Sequence, residues 1–199
     1  LSCGDHAGSC GGLREGKGTT WEGGQRVPCL MKWPAVIPEG IVSSKVASTI
    51  DLLPTIAKIS GATLPKKQID GINILPLLKN DKNANPREIF YYYFRENNLE
   101  AVRWKNWKLV FPHPGRSYEG FAPGRDGLPG ELARNYSFKK GLFDLRRDPG
   151  ERYNLIEFFP EIAYKLEEIA KEARSDLGDN LTGAEGMNRR QPGKIIHIK

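Results

Sequence analysis

The sequence predicts a mixed α/β protein built in two parts, residues 1–82 and residues 83–199. In the first part, an apolar segment is followed by a loop and an amphipathic helix, which is the usual order of elements in an α/β domain. In the second part, short β-prone segments precede one helix with a single apolar stripe, which is typical of an α+β unit. The boundary follows the change of pattern at the polar, proline-containing residues 83–86.

The composition favours a globular protein that binds an anion. The chain has 199 residues, of which 39% are hydrophobic and 27% charged, as in ordinary globular proteins. Because no apolar run approaches the roughly 18 residues of a membrane span, we expect no membrane partner. The net charge is +6, but the basic residues are scattered among acidic ones. A nucleic-acid-binding surface would concentrate them, so we expect no nucleic acid and favour an anionic small substrate.

The N-terminal segment and the cysteines leave the cellular compartment open. The chain begins at Leu1 in a glycine-rich segment and not at a methionine, so we expect further residues upstream, including any export signal. The three cysteines, Cys3, Cys10 and Cys29, do not have the spacing of zinc ligands. We favour free thiols, with a disulfide between the first two as the alternative. His6, alone in this segment, is interpreted as an ordinary polar residue.

The first part contains one predicted strand and one predicted helix. Residues 27–33 are mostly apolar, which predicts a buried strand. The helix has candidate N-caps at Ser48, Thr49 and Asp51, an apolar repeat behind them, and a glycine stop at Gly61. This order of elements is the reason for assigning residues 1–82 to an α/β domain.

The second part contains a predicted small sheet. Residues 89–94 include three consecutive tyrosines and are β-prone, and residues 101–104 and 107–111 predict a tight hairpin. Residues 142–145 predict a further strand. Residues 113–140 are rich in glycine, proline and arginine, which predicts a long loop of the kind that is usually functional or disordered.

The helix that opens at Pro160 is the clearest element of the sequence. Its apolar residues recur at helical spacing and form one stripe, which consists of Ile162, Leu166, Ile169, Ala170, Ala173 and Leu177. The opposite face is charged and therefore indicates a solvated surface. We expect a small antiparallel sheet with this helix covering it.

Residues 16–28, with the sequence GKGTTWEGGQRVP, are the strongest candidate for a ligand-binding segment. Glycines allow a backbone to approach a ligand closely, so Lys17 between two glycines can be presented to an anion. A glycine-rich surface loop without a ligand is the alternative. A phosphate-binding Walker A loop is excluded because Gly18 stands where a serine or threonine must bind magnesium. For Glu22 and Arg26 we favour a structural ion pair over a catalytic role.

These segments together resemble the sulfatase family of the alkaline phosphatase superfamily. The strongest match is LREGKGTTWEGGQRVP at residues 13–28, which resembles the family's second signature region. Further motifs follow in the family's order: Trp33-Pro34, DLLPT at 51–55, Asp70-Gly71, VRWKNWKL at 102–109, Asp144-Leu145, DPGE at 148–151 and Asn154-Leu155. The resemblance covers most of the chain and is strongest in residues 11–34 and 101–155.

The resemblance implies an alkaline-phosphatase/sulfatase-like α/β fold. Residues 1–82 would be the C-terminal end of the catalytic domain, and residues 83–199 the α+β C-terminal subdomain. It also implies hydrolysis of sulfate monoesters, because Lys17 matches the family's lysine that contacts the substrate sulfate. The family's other catalytic groups have no counterpart: no cysteine lies in the Cys-x-Pro-Ser-Arg motif that yields formylglycine, and the calcium-binding aspartates, catalytic histidines and second lysine are absent.

We therefore expect this chain to be the C-terminal portion of a sulfatase, inactive on its own, whose exported parent uses calcium and a formylglycine nucleophile. His113, with Arg116 and Arg125 in the long loop, is expected to bind the non-sulfate part of a sulfated small molecule or glycan. Two alternatives stay open: a phosphate or phosphonate ester hydrolase of the same superfamily, and a non-catalytic module that binds sulfated glycans. An incomplete sheet would expose an edge and an apolar face, so we also expect self-association.

Overall fold

A computed structural model describes residue 6 and residues 8–190. The chain forms two compact units. The first unit contains the described residues up to Arg26 together with those from Phe90 onward, and the second unit is Val27–Ile89. Residues 14–26, called the glycine-rich segment from here on, therefore belong to the same unit as the C-terminal sheet. The predicted division at residues 82 and 83 concerns the domains of a longer protein and stays a prediction.

The second unit contains the predicted helix. A 3₁₀ turn, Thr49–Asp51, leads into helix α2, Leu52–Ser60, and a short helix α3 follows at Leu75–Leu78. The buried Asp51 carboxylate accepts the backbone N–H of Ser48 at 2.8 Å, which completes a capping box. Gly61 ends the helix with a φ of 73°, the left-handed conformation that glycine adopts readily. The prediction of the helix, of its cap and of its glycine stop is confirmed.

The predicted buried strand at residues 27–33 is wrong. These residues have no strand conformation, and Val27 and Leu30 are 75% and 98% exposed. A strand is held by hydrogen bonds to a neighbouring strand, and the described part of the chain pairs none with these residues. Ile56 on α2 is also 60% exposed. These residues are apolar, but apolar residues are buried only where another surface of the protein covers them.

The first unit contains a four-stranded sheet in the order β1-β2-β3-β6. Its strands are β1 Ile89–Phe94, β2 Asn98–Trp104, β3 Trp107–Val110 and β6 Gly141–Asp144. Strands β2 and β3 pair antiparallel with Trp104 opposite Trp107, so the predicted hairpin is confirmed. Strand β6 pairs antiparallel with β3 and confirms the strand predicted at residues 142–145.

The predicted loop at residues 113–140 is wrong at both of its ends. Strands β4 His113–Ser117 and β5 Ala133–Phe138 pair antiparallel in a second, two-stranded sheet. Only residues 118–132 form the loop between them. The sequence hid both strands because β4 contains a proline and a glycine, and because the side chains of β5 are nearly all exposed and do not alternate.

Helix α4, Pro160–Leu177, and the glycine-rich segment lie on opposite faces of the four-stranded sheet. The helix buries Leu166, Ile169 and their apolar neighbours, which confirms the predicted stripe. Neighbouring tyrosines of β1 identify the two faces, because successive side chains of a strand point to opposite sides. The Tyr93 hydroxyl donates to the Ala173 carbonyl of α4 at 3.1 Å, whereas the Tyr92 hydroxyl donates to Glu22 of the glycine-rich segment at 3.0 Å.

Candidate anion-binding site

The glycine-rich segment folds back on itself around two glycines. The N–H of Gly23 donates to the Arg14 carbonyl at 2.8 Å, and a Cβ atom on this glycine would collide with the same carbonyl. A Cβ on Gly24 would lie 2.6 Å from the Gly16 carbonyl oxygen. The backbone contacts itself at both positions, so only glycine fits there. A short helix α1, Glu22–Gln25, closes the segment.

Trp21 fixes this segment to the sheet. Its indole is buried between aromatic rings, with centroids 5.3 Å from Phe138 and 5.5 Å from Phe143. The Arg14 guanidinium lies 3.7 Å from the centre of the indole ring, within the range of a cation–π interaction. The segment is therefore part of the hydrophobic core and not a free surface loop.

Lys108 of β3 is the centre of a buried ionic network beneath the segment. Its side chain is fully buried, and its ammonium donates to the Thr20 carbonyl at 2.7 Å and to Glu22 at 3.1 Å. The Glu151 carboxylate lies 2.7 Å from the same ammonium. Arg26 donates to the second oxygen of Glu22 at 2.6 Å. The network thus pairs two positive with two negative charges, and the predicted structural role of Glu22 and Arg26 is confirmed.

The network favours the charged forms of Glu22 and Lys108, whereas burial raises the pKa of the Glu151 carboxyl. Burial alone would raise the pKa of the Glu22 carboxyl, but Lys108 and Arg26 outweigh it and lower the pKa from 4.5 to about 2. For Lys108, burial acts to lower the pKa, and the neighbouring Glu151, Tyr92 and Glu22 raise it above its ordinary value. Buried charges are stable only when they are paired and hydrogen-bonded in this way.

Strand β4 holds the other side of the segment, where Lys17 lies. The Glu15 carboxylate accepts the hydroxyl of Ser117 and the backbone N–H of Tyr118, the latter at 2.8 Å. The Tyr118 hydroxyl donates to the carbonyl of Lys17 at 3.2 Å. The side chain of Lys17 itself is exposed, and its ammonium makes no hydrogen bond or ion pair with the described residues. A fixed backbone therefore carries an unpaired ammonium, as an anion site requires.

His113 is buried beside this segment, only 4% exposed. Its Nδ1 lies 2.7 Å from the Phe111 carbonyl oxygen, and its Nε2 lies 3.2 Å from Glu100 Oε2. The Thr20 hydroxyl donates to that same carboxylate oxygen at 2.9 Å. Both ring nitrogens are thus occupied within the chain. Substrate contact by His113 stays a prediction.

His113 and Glu100 share one proton. Burial raises the pKa of the Glu100 carboxyl, and burial lowers the pKa of the His113 imidazole. An imidazole nitrogen that faces a carboxylate oxygen at hydrogen-bond distance needs a proton between them. The Phe111 carbonyl oxygen can only accept a hydrogen bond, so Nδ1 of His113 carries a proton of its own. With a further proton between Nε2 and Glu100, the pair has no net charge whichever of these two groups holds it.

Sequence reasoning missed the residues that hold the segment from below. Lys108, Glu100 and Glu151 come from distant parts of the chain and were not singled out. One signal was present: a lysine within an apolar β3 segment, whose neighbours predict burial, must have carboxylate partners. Nothing in the sequence indicates which carboxylates these are.

The remaining candidates lie outside this site. His6 is exposed, which agrees with an ordinary polar role, and Arg125 is exposed in the loop of residues 118–132. Cys10 and Cys29 are free, as expected, whereas Cys3 lies outside the described residues. Among the described residues, no group of three histidine, cysteine, aspartate or glutamate side chains could hold a metal ion. In the same part of the chain, no helix is long and apolar enough to cross a membrane.

Comparison with known proteins identifies the family. The sequence profile of the "C-terminal region of aryl-sulfatase" matches residues 85–191, and that of "N-sulphoglucosamine sulphohydrolase, C-terminal" matches residues 16–113. The first profile alone spans more than half of the chain. The chain belongs to the sulfatase family. It corresponds to the C-terminal region of these proteins, and it has the predicted mixed α/β sulfatase architecture of a small antiparallel sheet with a covering helix.

Individual sulfatases agree with this assignment. The chain is 38% identical to steryl-sulfatase of Mus musculus over 185 residues, a match that covers 84% of this chain and 28% of the relative. The crystal structure of PsFucS1 sulfatase from Pseudoalteromonas sp. superposes with a TM-score of 0.65 at 27% identity, covering 81% of this chain and 32% of that one. Ps i-CgsB in complex with k-i-k-neocarrahexaose matches with a TM-score of 0.59 at 26% identity, covering 84% and 33%. The chain thus spans about a third of the length of these sulfatase relatives.

Proposed function

We propose that this chain is the C-terminal part of an enzyme that hydrolyses sulfate monoesters, and that Lys17 binds the sulfate group of its substrate. The observation that carries the proposal is the unpaired ammonium of Lys17 on a backbone held by Tyr118 on one side and by the Lys108 network on the other. Membership of the sulfatase family supports the reaction class. The division into a catalytic-domain end at residues 1–82 and a C-terminal subdomain at 83–199 belongs to the same proposal.

Lys17 suits the chemistry of a sulfate ester. An ammonium group offers three hydrogen-bond donors, and the ester presents several anionic oxygens. A hydrogen bond to a charged group contributes roughly 1.5–3 kcal/mol. It accelerates the reaction to the extent that it strengthens as negative charge develops in the transition state. The rigid segment contributes by holding the Lys17 backbone in place before the substrate arrives.

The nucleophile and the metal of this proposed enzyme would lie on other residues. None of the three cysteines is in the motif that yields formylglycine, and the described residues offer no group of metal ligands. We propose calcium and formylglycine as the cofactors of the intact protein, by which we mean a sulfatase that contains this chain and the N-terminal part that its relatives have. On this proposal the chain alone does not hydrolyse sulfate esters.

We propose a sulfated sugar as the substrate. The relative Ps i-CgsB was solved in complex with a carbohydrate, k-i-k-neocarrahexaose. The exposed ammonium of Lys17 gives the site a positive charge that suits such a ligand. His113 would act as a wall of the site and not as a hydrogen-bonding group, because both of its ring nitrogens are occupied.

The test is the substitution Lys17→Ala in the intact protein, assayed with a sulfate monoester. We expect kcat to fall about 10²–10³-fold, as for the loss of one charge-stabilising donor in other enzymes. The melting temperature should not change, because the ammonium has no partner among the described residues. The matched control is Lys165→Ala, which removes an exposed lysine from α4 on the opposite face of the sheet and should leave kcat unchanged. Near-wild-type activity of the Lys17 variant would refute the assignment.

A further inference from the structure

Two arginines beside the glycine-rich segment make no ion pair with a residue that the structure describes. Arg116 and Arg95 line one small pocket together with Gly18, Glu100 and His113. Neither guanidinium makes a hydrogen bond or ion pair with any residue that the structure describes. Arg116 is half-buried, and Arg95 lies over the ring of its neighbour Phe94, with its Cζ atom 5.9 Å from the ring centre.

The Arg116 guanidinium lies close to Gly18, whose backbone conformation favours glycine. A Cβ atom built on Gly18 would lie 2.8 Å from Cζ of Arg116 and 3.1 Å from its Nη1. The φ angle of Gly18 is 97°, which a residue with a side chain rarely adopts. The guanidinium therefore occupies the space of the missing side chain. Because Gly18 directly follows Lys17, this packing places the Arg116 guanidinium next to the Lys17 backbone.

The base of the pocket does not neutralise these arginines. Among the described residues that line the pocket, Glu100 is the one carboxylate, and its Oε2 lies 3.2 Å from Nε2 of His113. Arg95 acts electrostatically on this carboxyl and opposes the rise of its pKa that burial causes. One carboxylate offsets at most one of the two guanidinium charges, so the pocket keeps a net positive charge. The second oxygen of Glu100 is buried and has no hydrogen-bond donor among the described residues, so neither arginine is bound to it.

We propose that Arg95 and Arg116 form a second anion-binding position, next to the Lys17 position, which selects sulfate esters that carry a further sulfate or carboxylate group. This inference rests on the proposed function, in which Lys17 binds the ester sulfate. The two positions are separate because both arginines line the pocket whereas the exposed Lys17 does not. A guanidinium offers a planar pair of donors that matches the geometry of sulfate and carboxylate oxygens.

The substrates that test this inference are sugar monosulfates that the intact protein hydrolyses, each compared with the same sugar carrying a second sulfate or carboxylate at another ring position. In the intact protein we expect kcat/KM for at least one doubly anionic sugar to exceed that of its singly anionic counterpart about tenfold or more. The double variant R95Q/R116Q should lose this preference and keep its kcat/KM for the singly anionic sugar within about twofold of wild type. R95K/R116K keeps both positive charges but lacks the planar pair of donors of a guanidinium, and it should retain part of the preference.

The matched control is R134Q/R146Q, which removes the same charge from two exposed arginines, one on strand β5 and one after strand β6, and should retain the preference. The inference is wrong if wild type shows no preference, if the preference survives in R95Q/R116Q, or if that variant loses activity on both sugars equally. Failure of the proposed function has another signature, namely no hydrolysis of any sulfate ester by wild type. In that case the doubly sulfated sugar should still raise the melting temperature of wild type more than that of R95Q/R116Q, and an equal rise would overturn the inference.

Discussion

The substitution Lys108→Met tests whether the buried ionic network holds the glycine-rich segment. It removes the ammonium that donates to Thr20 and contacts Glu22 and Glu151 while keeping much of the side-chain volume. The two carboxylates then remain buried, with only the Arg26 guanidinium beside them, and the side chain of Arg26 is 44% exposed.

The expected loss follows from the burial of these charges. Removing one partner of a buried ion pair typically costs about 3–5 kcal/mol, because an uncompensated charge is left behind. That is a large share of the roughly 5–15 kcal/mol that stabilises a typical folded protein. We therefore expect the free energy of unfolding of the intact protein to fall by about 3–5 kcal/mol. Urea unfolding followed by tryptophan fluorescence measures this change, because Trp21 is buried directly above Lys108.

The matched control is Lys140→Met, which removes a lysine whose ion pair with Glu167 is solvent-exposed. Such pairs contribute about 0–1 kcal/mol, so we expect a loss no larger than that. Replacing both carboxylates as well, in E22Q/K108M/E151Q, should recover part of the stability because the charge that remains, on Arg26, is solvent-exposed and not buried. The reasoning is refuted if K108M costs no more than the control, or if the triple variant is less stable than K108M.

Two further predictions concern pH and association. The pKa of Glu22 is lowered from 4.5 to about 2 in the folded protein, so its ionised form contributes about 3 kcal/mol of stability above pH 4.5, which is lost as the pH falls towards 2. Acid unfolding of Glu22→Gln should therefore depend less on pH over that range, and an unchanged pH profile would contradict this origin. The chain of 199 residues expressed alone should self-associate, because Val27, Leu30 and Val42 are each at least 75% exposed. A single monomeric species in sedimentation velocity would count against it.

The elements that the sequence predicts correctly are those determined by local pattern. Helix α4 follows from its apolar stripe, and α2 from its cap and the glycine at position 61. The β2–β3 hairpin follows from two β-prone segments separated by two residues. In each case the residues that determine the element lie close together in the sequence, so their spacing alone predicts the element.

The wrong predictions concern segments whose structure depends on contacts with distant parts of the chain. Residues 27–33 have the apolar pattern of a buried strand, yet they are exposed because no described strand pairs with them. Strands β4 and β5 pair with each other, β4 is also held by Glu15, and Phe138 is the one apolar side chain of β5 that lies in the core. Tertiary contacts outweigh local preference in both cases.

The candidate site was predicted only in part for the same reason. Lys17 could be found because the glycines around it are adjacent in the sequence. Lys108 and Glu22 are 86 residues apart, and Glu22 and Glu151 are 129 residues apart. Arg116 reaches Gly18 only because β4 pairs with β5 and lies against the segment. Such juxtapositions depend on the fold and have no signature in spacing.

The most direct test of the central claim is the rate of sulfate release from a sulfate monoester by the intact protein and by its Lys17→Ala variant, with the matching phosphate monoester as a second substrate. We expect the wild type to favour the sulfate ester, and the variant to lose about 10²–10³-fold in kcat at an unchanged melting temperature. A wild type that favours the phosphate ester, or a variant that turns over the sulfate ester at the wild-type rate, would contradict the account.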